Sequence, residues 1–189
     1  MTLGDNKKIM LGLIEEFSPT NKYLTDDEDI KNRINLVYSP NYQFLSQKKP
    51  IIKTKIINIT NTNEGTTISM LPMDLRQLTR VVALDSNNKR ISPEYDIVGK
   101  RIYIKNNEGT YILEYYAYPT EITLETKDDF YLEIDKDVQA LLPYLVANDI
   151  LKVDPSANYT AFYNEYQSRV QELDIRTILP SATVEGGII

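Results

Sequence analysis

The chain has 189 residues, 27 of them acidic and 21 basic, a net charge of -6, and neither histidine nor cysteine. The missing imidazole and thiol groups exclude a histidine base, a cysteine nucleophile, a disulfide framework and the usual zinc sites. The acidic balance argues against a protein that holds nucleic acid by counterion release, because such binding requires a basic stripe.

A first helix is predicted near the N-terminus. Apolar residues recur at helical spacing from Ile9 to Phe17, and the helix is expected to end before Pro19. The apolar run from Ile9 to Ile14 is far too short to span a bilayer, so no membrane partner is expected.

A second helix is predicted to start at Thr25, which forms a capping box with Glu28. We favour a capping role for the carboxylates of Asp26–Asp29 over a cation site, since they complement the helix dipole and the calcium-loop spacing is absent. Pro40 is expected to kink or break this helix, whose apolar face extends to Leu45.

The pattern changes to that of strands at Ile51, where a β-branched run begins. Its apolar positions are even up to Ile56 and odd from Ile57, which suggests either a bulge or a strand buried on both faces. Further strands are predicted at Thr67–Leu71, Leu78–Leu84, Tyr95–Val98, Arg101–Lys105 and Thr110–Tyr118.

The last of these strands is rich in tyrosine. Tyr111 and Tyr115 lie on one side of it and Tyr116 and Tyr118 on the other. We favour a role in the core of a sandwich or barrel. The alternative is a stacking platform for bases or sugars, but that would need flanking cations, and Glu114 sits between the rings instead.

Acidic residues follow this strand: Glu121, Glu125, Asp128, Asp129, Glu133, Asp135 and Asp137. Paired carboxylates can hydrolyse glycosides, but nothing isolates one acid from the rest as a general acid requires. We favour a solvated connector that ends at Asp135, the N-cap of the next helix.

Two more helices are predicted after this connector. The third has a wide apolar face from Val138 to Ile150 and a kink at Pro143. The fourth opens at Asp154-Pro155, with Asp154 as N-cap, and its apolar stripe ends at Leu173.

The predicted fold class is α+β: a helical bundle, with two N-terminal and two C-terminal helices, interrupted by a small antiparallel β-sandwich or barrel. The predicted divisions are 1–50 and 121–173 for the two halves of the bundle, 51–120 for the β module and 174–189 for an extended tail. The tail is either a docking segment that adds a strand to a neighbour's sheet or a frayed terminus. Its candidate docking residues are Ile175, Ile178, Leu179, Val184, Ile188 and Ile189.

Several short motifs stand in a fixed order along the chain: Leu71–Leu75, Leu78–Val81, Tyr115–Thr123, Leu142–Ala147, Asn158–Tyr159 and Tyr163–Tyr166. In this order, over most of the chain, they resemble the head-to-tail connector proteins of tailed bacteriophages, the neck adaptors. None is a catalytic signature, because each encodes packing or a turn.

The resemblance implies a structural virion protein in the neck, made in the bacterial host cytoplasm. Copies of it, commonly twelve in that family, would form a ring that contacts the portal protein and the next neck or tail protein. DNA would pass through the ring transiently and without specificity during ejection. We expect acidic or neutral residues at the lumen rather than the lysines Lys48, Lys49, Lys53 and Lys55.

Two other classes of function are compatible with parts of the sequence. A tail or receptor-contact protein that binds carbohydrate or protein would use the tyrosine-rich β module as its site. An enzyme is disfavoured, because without histidine or cysteine it would need carboxylates or a buried lysine such as Lys152. No cofactor or metal is expected.

Overall fold

The computed structural model describes residues 1–22, 24–59, 66–84, 89–105, 109–154 and 157–177. Its fold is mixed α+β, which confirms the predicted class. The chain divides into two compact units: a helical unit, formed by the chain up to Leu45 and from Glu121 onward, and a β unit, Ser46–Thr120. The β unit therefore interrupts the sequence of the helical unit.

The described part of the helical unit contains five helices: α1 (Leu3–Leu13), α2 (Glu28–Leu45), α3 (Lys136–Gln139), α4 (Leu142–Leu151) and α5 (Tyr159–Thr177). Helix α4 is central, because α1, α2 and α5 all pack against it. Leu142, Val146 and Ile150 of α4 are fully or almost fully buried. A helix that is apolar around most of its circumference is stable only when other elements surround it.

Helix α1 ends at Leu13, before Pro19 as predicted, whereas α2 begins later than predicted, at Glu28. Helix α1 is capped by Thr2, whose Oγ1 accepts a hydrogen bond from the Asp5 amide at 3.1 Å, and it ends before Phe17. Helix α2 is capped by Asp27, whose Oδ1 accepts from the Ile30 amide at 2.9 Å. The predicted capping box at Thr25 is wrong, because the Thr25 hydroxyl accepts from the Asp27 amide and so shapes the turn before the cap.

Pro40 does not end helix α2, which continues to Leu45. Proline removes one backbone donor from the helix. The neighbouring turns are held by Tyr38 and Tyr42, which are both fully buried, so tertiary packing outweighs the local cost.

The third predicted helix is two helices, α3 and α4. Asp135 caps α3 as predicted, accepting from the Asp137 amide at 2.9 Å. Pro143 lies in the first turn of α4, where its missing N–H costs nothing, so it marks a helix start rather than a kink. Helix α5 begins at Tyr159 and not at Asp154-Pro155; Pro155 itself lies outside the described residues. None of the described helices is long and apolar enough to cross a membrane.

The described part of the β unit contains seven strands: β1 (Ile51–Ile59), β2 (Thr66–Met70), β3 (Leu75–Leu84), β4 (Arg90–Ile91), β5 (Tyr95–Val98), β6 (Arg101–Lys105) and β7 (Gly109–Ala117). They form a four-stranded sheet in the order β1-β7-β3-β4 and a three-stranded sheet in the order β2-β6-β5, with antiparallel pairing throughout. The hairpin of β5 and β6 matches its predicted bounds, and Gly99 in its turn has a φ of 60°.

The two sheets enclose one core. Buried side chains from both sheets make up a single cluster: Val81, Ala83, Ile102, Ile104, Tyr111 and Leu113. Strands β3 and β7 supply the part from the four-stranded sheet, and β6 supplies the part from the three-stranded sheet. The β unit is thus a small sandwich in which each sheet has an inner and an outer face.

Strand β1 is regular, so neither interpretation of its apolar pattern is correct. Its register with β7 is continuous from Ile51 opposite Ala117 to Ile59 opposite Gly109, without a bulge. The irregular strand is β3, whose register shifts between Leu75 and Gln77 and again between Leu78 and Arg80. The alternate residues of β1 that would have been buried on a second face are exposed instead.

Candidate interaction surfaces

The described residues hold no group of histidine, cysteine, aspartate or glutamate side chains that could bind a metal ion. Side-chain hydrogen bonds lower the pKa of Asp5 and Asp26 below the ordinary carboxyl value. In Asp149, burial alone would raise the pKa, but hydrogen bonds from Lys152 and Asn41 and the charge of Lys152 together lower it. A general acid needs a raised pKa, so none of these three carboxyls suits that role. Lys152 is half exposed and pairs with Asp149 at 2.8 Å, so it is not the buried lysine that an enzyme mechanism would use.

The acidic residues of the connector after the β unit are all exposed or half-buried, as predicted for a solvated segment, but the path of its backbone is fixed by Asn35. The Asn35 side-chain amide donates to the carbonyls of Thr123 and Thr126 at 2.9 and 3.2 Å, and also approaches that of Leu124 at 3.3 Å. Ile122 of the same segment is buried. One buried amide on α2 therefore sets the path of a segment that has no regular structure of its own.

The connector is also bound to α1. The amides of Leu3 and Gly4 donate to the carbonyls of Phe130 and Asp128 at 2.7 and 2.8 Å. Lys7, which is almost wholly buried, pairs with the Asp128 carboxylate at 2.6 Å. The start of the chain and the connector thus form one joined layer.

Three polar side chains connect these elements inside the helical unit. The Tyr38 hydroxyl donates to Asn6 Oδ1 at 3.1 Å, and Asn6 Nδ2 donates to the Gln139 carbonyl at 2.9 Å. The Gln139 side-chain amide nitrogen, Nε2, donates in turn to the backbone carbonyls of Leu132 and Ile134. Burial raises the pKa of Tyr38 well above its usual value, and the nearby charge of Asp128 adds to the rise. The polar groups of this network form their hydrogen bonds within the chain, so we assign the network a structural role.

A cavity of about 330 Å³ opens beside the connector, and its lining includes Lys7, Lys22, Lys31 and Lys127. The chain's own carboxylates meet two of these cations: Lys7 pairs with Asp128, and Lys31 with Glu28 at 2.7 Å. Glu125 adds another negative charge to the lining. The cavity is therefore too nearly balanced in charge to define an anion site.

Asp74 joins two segments of the β unit that carry the resembling motifs. Its backbone carbonyl accepts from the Tyr118 amide at 2.7 Å, and its carboxylate accepts from the Tyr115 hydroxyl at 3.2 Å and from Lys53 at 3.0 Å. Burial raises the pKa of Tyr115, and the charge of Asp74 raises it further. Lys55 donates to the Met70 carbonyl at 2.7 Å, so two of the four clustered lysines are used within the unit.

The tyrosines of β7 divide between the core and the outside. Tyr111 and Tyr115 are buried, which confirms the core role for that side of the strand. Tyr116 is half-buried on the other side, and Tyr118 beyond the strand is 53% exposed. A stacking platform would have at most these two rings.

The outer face of each sheet carries exposed apolar side chains, but the four-stranded sheet is covered at β3, where Val82 on that face is only 1% exposed. The four-strand face comprises the outward side chains of β1 and β7: Ile52, Thr54, Ile56, Ile112, Glu114 and Tyr116. The three-strand face comprises the outward side chains of β2, β6 and β5: Ile68, Met70, Asp96, Val98, Arg101, Tyr103 and Lys105. Ile52 and Ile56 are 71% and 62% exposed, and Ile68 and Met70 are 54% and 55% exposed. The even-numbered isoleucines of β1 are the sequence signal for the four-strand face. The same pattern is also expected of a bulged strand or of a strand that is buried on both faces.

The structure places only one of the predicted tail residues. Ile175 lies in the last turn of α5, which ends at Thr177, and not in an extended segment. Ile178, Leu179, Val184, Ile188 and Ile189 lie outside the described residues. Their docking role stays a prediction.

Sequence comparison identifies no relative of this chain. No protein-family model matches the chain, and no curated protein matches it. Among solved structures, the chain is similar to one described as the neck of an empty GTA particle computed with C6 symmetry, at 12% identity. That match covers 88% of this chain and 91% of the other, with a TM-score of 0.29.

Proposed function

We propose that the chain is a head-to-tail connector, or neck adaptor, of a tailed bacteriophage. Copies form an oligomeric ring between portal and tail, and DNA passes through its channel during ejection. The chain acts by binding its neighbours, namely other copies, the portal protein and the next neck or tail protein, and it catalyses no reaction. Its place is the neck of the virion, after synthesis in the host cytoplasm.

The observation that carries this proposal is where the resembling motifs fall in the structure. The motifs Leu71–Leu75 and Tyr115–Thr123 meet at Asp74, through the contacts with Tyr115 and Tyr118. The motif Leu142–Ala147 lies in α4, the helix that the others surround. All three motifs therefore fix packing within a unit, which suits a family defined by its scaffold rather than by a catalytic centre.

The experiment that tests the proposal is co-sedimentation of the purified chain with the portal ring of the same phage, followed by electron microscopy of the pellet. A version that ends at Thr177 keeps all of the described helix α5, including Ile175, and removes residues 178–189 of the predicted tail. A version with the tail residues in scrambled order separates the sequence of the tail from its length.

We expect the full-length chain to bind and to form a ring with a central channel. Loss of binding in both altered versions supports the tail as the portal anchor, because weak contacts repeated around a ring add to a stable attachment. Binding by all three versions keeps the adaptor function and retires the tail. Absence of both binding and ring formation in the full-length chain contradicts the proposal.

The alternative, a tail or receptor-contact binding module, rests on the tyrosines of the β unit. Because Tyr111 and Tyr115 are in the core, its site would be reduced to Tyr116 and Tyr118. Glycan binding by the full chain that is lost in Tyr118→Ala would favour this function over the adaptor.

A further inference from the structure

The two units of the chain carry charges of opposite sign. The β unit, Ser46–Thr120, has 11 basic and 7 acidic residues, a net charge of +4. The helical unit has the other 10 basic and 20 acidic residues, a net charge of -10. The net charge of the whole chain therefore conceals a basic unit inserted into an acidic one. Such a separation within one chain indicates that the basic part meets an anionic partner.

Three cations of the β unit gather at the end of strand β2. Lys55 donates to the Met70 carbonyl at 2.7 Å, a contact that leaves its positive charge unneutralised. Arg101 of β6 lies opposite Met70 in the strand register. The carbonyl of Lys100 accepts from the Leu71 amide at 3.0 Å, so this lysine borders the same place.

The turn that follows β2 is rigid and exposes Met73 completely. The Leu75 amide donates to the Pro72 carbonyl at 3.2 Å, and the contacts of Asp74 with β1 and β7 hold the turn on the sandwich. A side chain on a rigid turn loses little conformational entropy when it binds a partner. We call this surface the Met73 patch, which comprises Lys53, Lys55, Met70, Met73, Lys100 and Arg101.

The Met73 patch has an excess of positive charge. Lys53 pairs with Asp74, whereas Lys100 and Arg101 are exposed and form no ion pair with the carboxylates that the structure describes. Methionine and arginine are both enriched in protein–protein interfaces. The contacts that hold the nucleic-acid backbone use cations and hydrogen-bond donors and have no need of an exposed methionine. The patch therefore suits an acidic protein surface better than nucleic acid.

We infer that the Met73 patch of one copy binds the acidic helical unit of the next copy. This inference rests on the proposed ring, for which it names the surfaces that join neighbouring copies. A closed ring requires a contact between two different surfaces of the chain. The β unit and the helical unit are different surfaces of opposite charge, and each copy supplies one of each. A contact of two helical units would instead set like charges together, which is unfavourable.

The helical unit has carboxylates available for this contact. Five of them are exposed and form no ion pair with the cations that the structure describes: Glu15, Glu16, Glu121, Glu125 and Asp129. Helical units with a net charge of -10 repel one another when a ring brings them together. The basic β unit of a neighbour offsets part of this repulsion, so charge complementarity favours a second copy as the occupant of the patch.

The test is zero-length cross-linking with a carbodiimide, which joins a lysine amine to a carboxylate only where the two are in contact. Rings are assembled on the portal from an equal mixture of unlabelled and heavy-isotope-labelled full-length chains, and the linked peptides are identified by mass spectrometry. A linked pair with one light and one heavy peptide comes from two copies. Pairs that always carry matching labels come from one chain.

We expect mixed-isotope links from Lys55 or Lys100 to carboxylates of the helical unit. Arg101→Glu should lower their yield about tenfold or more, because a carboxylate in the patch repels those of the neighbour. Arg90→Glu is the matched control, since it makes the same change of charge at an exposed arginine of the β unit. Arg90 lies at the other end of the ten-residue strand β3, about 30 Å from the patch, so the yield should stay within about twofold. Thermal unfolding checks that both variants fold.

The other outcomes overturn the inference and separate it from the proposed function. Rings seen by electron microscopy without mixed-isotope links from the patch keep the adaptor function and place the contact elsewhere. Links with matching labels alone mean that the patch meets the helical unit of its own chain. Links to the portal protein alone mean that the portal is the acidic partner.

Two further results also contradict it. An equal loss of yield in Arg101→Glu and Arg90→Glu means that total charge, and not the patch, drives assembly. Protection of Lys55 and Lys100 from acetylation that ends on nuclease treatment means that DNA covers the patch. Absence of rings removes the proposed function and this inference with it.

Discussion

Gly4 lies so close to Asp128 that a side-chain carbon at residue 4 would be 2.8 Å from the Asp128 Cβ and 3.0 Å from its carbonyl oxygen. The Gly4 amide donates to that same carbonyl, so the contact joins α1 to the connector. Only glycine permits this approach, and the choice of glycine inside a helix is therefore explained by packing rather than by backbone flexibility.

We expect Gly4→Ala to destabilise the protein, because the backbone of the connector must move to relieve the contact. Overpacking of this kind costs roughly 1–3 kcal/mol, which exceeds the gain in helix propensity. Gly12→Ala in the same helix is the matched control, since nothing lies within 4 Å of the added carbon, and it should stabilise by about 0.5–1 kcal/mol. Urea unfolding measures both. Equal effects of the two substitutions would show that the close contact is unimportant.

Asn35→Asp should destabilise the protein by about 2–3 kcal/mol at neutral pH, because a carboxylate would face the carbonyls that the Asn35 amide now serves. The folded state would raise the pKa of the new carboxyl. It would then bind a proton that the unfolded state has released, so the loss of stability shrinks as the pH falls. Urea titrations of the variant and the natural chain at pH 7 and pH 4.5 check this. A difference that stays constant between these pH values would contradict the explanation.

Tyr42 should make the protein lose stability in alkali. Burial raises its pKa to about 12, with its hydroxyl accepting from the Glu133 amide at 2.7 Å. Its contribution is complete below the unfolded pKa of about 10 and is lost as the pH rises towards 12, by up to about 1.4 kcal/mol per pH unit.

Tyr42→Phe removes only the share of this pH dependence that Tyr42 contributes, because burial also raises the pKa of Tyr38 and Tyr115. At pH 7 the variant should be less stable by about 1 kcal/mol, through the lost hydrogen bond, and the gap should close above pH 10. Tyr163→Phe, at an exposed position of α5, serves as the control and should leave the pH profile unchanged. If Tyr42→Phe and the natural chain lose stability in parallel up to pH 11.5, Tyr42 is not the group responsible.

Asp74 and Tyr115 should be energetically coupled, because the hydroxyl donates to the carboxylate. A double-mutant cycle of Asp74→Ala and Tyr115→Phe should give an interaction of about 0.5–1.5 kcal/mol. The cycle of Asp96→Ala with Tyr115→Phe should be additive within about 0.5 kcal/mol, since the structure shows no hydrogen bond between that pair of described residues. Additivity in both cycles would mean that the Tyr115 hydroxyl contributes nothing measurable to the role of Asp74, which would then act through Lys53 and through its backbone carbonyl.

The sequence predicted the class of fold well, because periodicity reports which faces are apolar. The hairpin of β5 and β6 was placed to the residue, since Gly99 marks its turn. Helix starts were less accurate: Thr25 and Asp27 are equally good caps by residue type, and only tertiary packing decides between them. The effect of Pro40 on α2 was overestimated, because the cost of a proline in a helix can be read from the local sequence. The burial of Tyr38 and Tyr42, which outweighs that cost, depends on distant parts of the chain.

The candidate surfaces were harder to predict. Isoleucine is a residue type that is usually buried, so the sequence alone does not show that Ile52 and Ile56 are exposed at the edge of the sheet. Asp74 belongs to one of the resembling motifs, but its partners Lys53 and Tyr115 are distant in sequence and meet it only through the fold of the β unit. Such contacts follow from strand order, which periodicity does not give.

The central position of α4 sets the order in which the chain can fold during synthesis. Helices α1 and α2 are made first, but the helix on which they pack, Leu142–Leu151, follows the whole of the β unit. The β unit is complete at Thr120 and can fold while Leu3, Met10 and Leu11 still expose their apolar surface on the ribosome. The nascent chain therefore passes through a stage with a finished sandwich and an unfinished helical unit, in which the N-terminal segment is a target for chaperones.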